Sequence, residues 1–135
     1  MDKNTAKELL SFHSSRNSNI HNPKWSGGFL GSLRPFCGEL REENFIEVME
    51  CLKVLKEEFG ADAVDREIVG DVISIVYLTR QWAAPDGMLG GILTEEQTKR
   101  LLLWVEIMEG CLMYLLECDE EDAFSDYEDY REGEV

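Results

Sequence analysis

Histidine is nearly missing from this chain: His13 and His21 are the only two in 135 residues. A Ser-His-Asp or Cys-His site would have to be assembled around one of them, and nothing in the spacing of the serines, of Cys37 or of Cys51 supports that. No Glu-x-x-His ligand pair occurs either, so the acidic ridge Glu43, Glu47 and Glu50 reads as a solvated helix face rather than half of a metal site. The four cysteines, Cys37, Cys51, Cys111 and Cys118, lack the two-residue spacing of zinc ligands and read as free thiols. No metal and no cofactor is expected. A charge-free apolar run of the roughly 20 residues needed to span a bilayer is absent. The opening MDKNTAKELL lacks the basic start and apolar core of a secretory leader, so the expected location is the cytoplasm.

Positive charge is equally scarce, with 13 Lys and Arg against 28 Asp and Glu and a net charge of −15. Phosphate backbones and anionic headgroups are repelled by such a surface, so neither nucleic acid nor membrane is expected as a direct partner. The imbalance is concentrated at one end. From Glu117 to Val135 ten acids face Arg131 alone. Phe124, Tyr127 and Tyr130 recur there at three-residue spacing, but charge repulsion predicts a partly disordered acidic tail over 119–135, following a single helical domain over 1–118. None of these acids stands in the glycine-six, glutamate-twelve register of a calcium loop.

What the chain has in excess is one oily stretch. Leu101–Leu116, LLLWVEIMEGCLMYLL, is interrupted only by Glu106, Glu109 and Gly110. Its apolar positions cover far more than the ~100° stripe of a surface helix, so it must be enclosed by other helices, by a second copy or by a partner. Thr94-Glu95-Glu96-Gln97 is a capping box that starts it. Gly110 costs about 1 kcal/mol relative to alanine, and close approach of a neighbouring helix is the expected reason for it.

Three further helices follow from periodicity. Thr5 to Glu8 reads as a capping box opening a short helix with Ala6, Leu9, Leu10 and Phe12 on one side, and His13 near its end suits the helix dipole. Arg41–Phe59 repeats Phe45, Val48, Leu52, Leu55 and Phe59 at spacings of three and four and is closed by Gly60. Asp62 is placed to cap the next helix, giving a two-residue connection and an antiparallel hairpin. That next helix buries Ile68, Val69, Val72, Ile73, Val76 and Thr79 and exposes Glu67, Asp71, Ser74 and Gln81. Its β-branched run VISIVYLT also suits a strand, but no second strand exists to pair with it. Pro85-Asp86-Gly87 and Gly90-Gly91 mark the turn before Thr94.

Between the first two helices, residues 14–38 are rich in Gly, Ser and Asn yet carry Ile20, Trp25, Phe29, Leu30, Leu33 and Phe36. Those anchors predict a long ordered loop lying across the helices. Its SGGFLGS fragment lacks the Lys-Ser/Thr ending of a phosphate-binding loop. The expected fold is therefore all-α: a compact four-helix bundle-like domain of one short and three long helices, with that loop and the acidic tail.

Two functions are compatible with these features. The first is a non-catalytic acidic interaction module that self-associates or docks on a basic partner, with Trp104, Ile107 and Tyr114 at its interface. A variant of this reading is an inhibitor that imitates nucleic-acid charge. The second is a small-molecule-binding or enzymatic domain with a site under the 21–38 loop, lined by His21, Trp25, Arg34 and Cys37.

Overall fold

The computed structural model describes residues 1–133, and every regular element in them is helical. α1 spans Lys3–His13, α2 Pro23–Gly27, α3 Glu42–Leu55, α4 Arg66–Ala83, α5 Glu95–Leu116, α6 Glu120–Ala123 and α7 Ser125–Arg131. Single 3₁₀ turns follow at Gly31–Leu33 and Lys56–Gly60. α4 packs against α5, which it reaches through a connection over residues 84–94, while α1 lies between α3 and α4 and touches both. Phe45 of α3 stacks on Trp104 of α5, ring centroids 5.6 Å apart and planes 8° apart, which closes the ring of helices around one core.

α5 is enclosed on most sides. Leu101, Trp104, Val105, Ile107, Met108, Cys111, Leu112 and Leu115 are buried. The Thr94–Gln97 capping box forms in both directions, at 3.1 and 2.9 Å. Gly110 is not explained by close packing, because a Cβ built there meets nothing within 4 Å.

Several boundaries differ from the expected ones. α1 is capped by Asp2, whose carboxylate accepts from Thr5 N–H at 2.7 Å, so Thr5 and Glu8 form no box. Asp65, not Asp62, caps α4. The α3–α4 connection is therefore a 3₁₀ turn plus an irregular stretch rather than two residues. Gly60 does not take the left-handed conformation expected of a helix stop. On α4, Ile73 is 49% exposed and Asp71 only 4%, the reverse of their expected places.

Two helices end without glycine. Ser15 and Cys118 sit at φ 59° and 60°, and in both cases the next backbone N–H reaches back five residues, Arg16 to Ser11 and Asp119 to Tyr114. This is the Schellman closure with a side chain where glycine is usual. The 14–38 segment is ordered as two short helical pieces, with Phe29, Leu30 and Leu33 buried and Ile20 exposed. Gly31 is required there, since an added Cβ would stand 2.1 Å from the Trp25 carbonyl oxygen.

The expected disorder of the tail is replaced by order from Asp119 to Arg131. Ala123, Phe124 and Tyr127 are buried. Tyr127 OH donates to Glu50 at 2.8 Å and Tyr130 OH donates to Glu42. Lys53 lies over the Tyr127 ring, 5.2 Å from its centroid. Apolar burial and these tyrosine bonds outweigh screened repulsion among the exposed acids. Glu134 and Val135, the end of the expected tail, lie outside the described residues.

Candidate interaction surface

The two histidines have unlike fates. His13, at the end of α1, is 2% exposed; its Nδ1 accepts from Phe29 N–H at 2.9 Å and its Nε2 faces Glu47 at 3.0 Å. The backbone donor fixes the lone pair on Nδ1 and hence the proton on Nε2, which is donated to Glu47. Neither ring nitrogen is left for a substrate. The bond from His13 holds the Glu47 carboxyl below the usual carboxylate range in spite of its partial burial, and Lys24 adds to the effect. Glu47 is thus a fixed part of the α1–loop–α3 junction rather than one rung of a solvated ridge.

A second polar junction ties the end of α1 to α4. Asp71 accepts from Ser14 Oγ at 2.9 Å and from Arg16 Nη1 at 3.2 Å, and Arg16 also pairs with Glu67 at 2.8 Å. Burial pushes the Asp71 carboxyl up to about 6, more than the Ser14 bond and the Arg16 charge pull it down. These two junctions hold the start and middle of the 14–38 segment to the helices, and Gln97 donates to the Gly38 carbonyl at its end, at 2.9 Å.

The four residues expected under that segment do not converge. His21, Arg34 and Cys37 are exposed, and Trp25 is half-buried with its indole N–H unpartnered among the described residues. Arg34 lines an apolar groove with Leu33 and Phe36, whereas Cys37 lines a separate depression beside Leu40. His21 and Cys37 therefore have no part in a common site with Arg34.

The three expected interface residues are mostly interior. Trp104 is 1% exposed and donates its indole N–H to Tyr130 OH at 2.9 Å; Ile107 is 4% exposed; Tyr114 is half-buried. Trp104 is core, covered by Phe45 of α3 and Tyr130 of α7, and Ile107 is buried with it in the same core.

The uncovered side of α5 lies elsewhere. Leu102, Glu106, Glu109, Met113 and Leu116 are all exposed. Their spacings of 4, 3, 4 and 3 put them within one narrow arc of the helix. On α4, Arg66, Ile73, Tyr77 and Arg80 are exposed along a similar line. A two-pronged ion pair, Arg80 to both oxygens of Glu109 at 2.8 Å, brings the two lines side by side. The result is one outer face of the hairpin on which Ile73, Tyr77, Leu102, Met113 and Leu116 stand in the open. Its charges balance, Arg66 and Arg80 against Glu106 and Glu109, on a chain of net charge −15. The 4-3 register of 102, 106, 109, 113 and 116 is legible in the sequence. The aromatic bulk of Trp104 draws attention to the wrong side.

Among the described residues, no helix is long and apolar enough to cross a membrane. No protein family, no characterised protein and no solved structure matches the chain.

Proposed function

We propose that the chain is a non-catalytic acidic interaction module, built as a four-helix bundle of the short α1 and the long α3, α4 and α5, that pairs with a second copy through the outer face of the α4–α5 hairpin. The observation that carries this reading is the neutral, apolar character of that face on a strongly acidic molecule. Like charge opposes contact between copies over the acidic surfaces and not over this one. A face of this kind is self-complementary about a two-fold axis, as a symmetric dimer requires.

Size sets the strength of the contact. The line from Leu102 to Leu116 is about 21 Å long at ~1.5 Å per residue, and two helices ~10 Å apart give a width of about 20 Å. That area sits at the low end of specific interfaces and corresponds to a dissociation constant in the micromolar range or weaker. The acidic α6–α7 segment and the exposed Glu42 and Glu43 remain outside the dimer, where a basic partner is steered by charge.

The test is sedimentation of the full chain over about 1 to 500 μM, with Ile73→Glu and Met113→Glu as variants. Both positions are about half exposed, so the variants fold. The wild type is expected to rise from 15.5 kDa toward twice that mass, and both variants are expected to stay monomeric. A wild type that remains monomeric throughout, or variants that associate as it does, would overturn the reading.

A further inference from the structure

A groove of about 530 Å³ opens between the end of the 14–38 segment and the α4–α5 connection. Leu33, Pro35 and Phe36 form one wall, and Met88, Leu89 and Ile92 the other. Its volume lies within the ~300–1,000 Å³ usual for small-molecule sites. Met88 is 42% and Ile92 59% exposed, so the apolar lining is open to solvent. The single titratable residue along it is Arg34, also exposed, and no carboxylate lines it.

Both walls are held by backbone. Gly87 lets the α4–α5 connection fold back on α4, since a Cβ there would stand 2.2 Å from the Gln81 carbonyl oxygen. Leu89 N–H closes that turn on the Trp82 carbonyl at 2.8 Å. Opposite, Leu33 N–H bonds the Leu30 carbonyl at 3.0 Å, and Leu33 itself is 3% exposed. The groove is thus formed before anything enters it, which removes part of the ordering cost of binding.

Charge decides what enters. Of the other arginines beside grooves, Arg80 is occupied by Glu109 and Arg100 by Glu96, and Arg41 shares its depression with Glu39 and Glu43. Arg34 makes no ion pair with any described acid, although the chain carries 28. We propose that this groove binds a small amphipathic carboxylate: an apolar chain or ring lies between Phe36 and Ile92, and its one carboxylate is received by Arg34. A guanidinium takes a carboxylate through two parallel N–H donors, the geometry it matches best. The site is separate from the α4–α5 outer face and does not depend on self-association.

Decanoate is a suitable probe, with decanol and decyltrimethylammonium as the neutral and cationic versions of the same chain. The full chain, labelled with ¹³C at the methionine methyls, is titrated with each below its micellar concentration. Decanoate is expected to shift the Met88 methyl saturably and to leave that of Met113 in place. It is expected to bind about tenfold more tightly than decanol, the effect of one charge-assisted contact at a solvated site. R34Q should abolish that preference without weakening decanol, and Ile92→Asp should abolish the binding of both. Each change is at an exposed side chain, and circular dichroism confirms that the fold survives. Equal affinity for decanoate and decanol, an undiminished preference in R34Q, or a shift at Met113 instead of Met88 would overturn the proposal. So would a Met88 shift on dilution alone, which would make a second copy the occupant.

Discussion

Replacing Asp71 by asparagine should alter stability by an amount that depends on pH in a direction opposite to that of most carboxylates. Asp71 is 4% exposed, and its carboxyl stands at about 6 against an ordinary value of 3.8. A carboxyl raised by folding binds more protons in the native state than in the unfolded one between those two values. Stability from this group is therefore greatest below pH 4 and falls as the pH rises through 6. At ~1.4 kcal/mol per pKa unit, the loss between pH 4.5 and 7.5 is about 2 kcal/mol. Asparagine keeps an oxygen to accept from Ser14 and Arg16 but has no charge to desolvate. The unfolding free energy of Asp71→Asn relative to the wild type should thus increase by about 2 kcal/mol between those pH values, other carboxyls cancelling in the comparison. Urea unfolding followed by circular dichroism at both pH values measures it. A difference that does not change with pH, or that moves against the mutant as pH rises, would refute burial as the dominant influence. It would show instead that Arg16 holds Asp71 ionised as an ordinary ion pair.

Tyr130→Phe removes the acceptor of the buried Trp104 indole N–H and should destabilise the fold by about 1–2 kcal/mol in urea unfolding; a loss under 0.3 kcal/mol would mean that water replaces the hydroxyl. Gly110→Ala should stabilise by about 1 kcal/mol, because helix propensity is gained and nothing lies within 4 Å of the new methyl. A loss of stability would show that a neighbour comes closer than the structure has it. With a thiol reagent, Cys37 and Cys118, both exposed, should react in the native protein. Cys51 and Cys111, buried and with thiols pushed up to about 12 by that burial, should react only on unfolding. Four equally fast thiols would contradict the packing around α3 and α5.

The sequence carries the helical class well because periodicity is a local property. Phe45, Val48, Leu52 and Leu55 place α3, and the Thr94–Gln97 pair places the start of α5 to the residue. Features that depend on distant partners were not legible. Asp71 reads as a solvent residue until Ser14 and Arg16 are brought to it from 57 and 55 residues away. Asp62 and Asp65 are equivalent caps by composition, and only the path of the chain from α3 selects the second. The ends of α1 and α5 carry Ser15 and Cys118 where a glycine would have marked them. Charge alone predicts a loose tail, and it took the positions of Glu42 and Glu50 opposite Tyr130 and Tyr127 to show how α7 is held. For the site, the same limit applies. Trp104 and Ile107 are conspicuous in the sequence and interior in the fold, whereas Ile73 and Tyr77 become surface residues only when α1 takes the opposite side of α4.

The most direct test of the proposed pairing is contact across it. A sample mixed in equal parts from ¹³C-methyl-methionine chains and unlabelled chains, at a concentration where sedimentation shows association, gives isotope-filtered nuclear Overhauser effects only between copies. The account places the Met113 methyl of one copy against apolar or aromatic protons of Ile73, Tyr77 or Leu102 in the other, so cross-peaks from Met113 are expected. Cross-peaks absent from Met113 and present instead from Met1 or Met88 would put the contact on a different surface and contradict it.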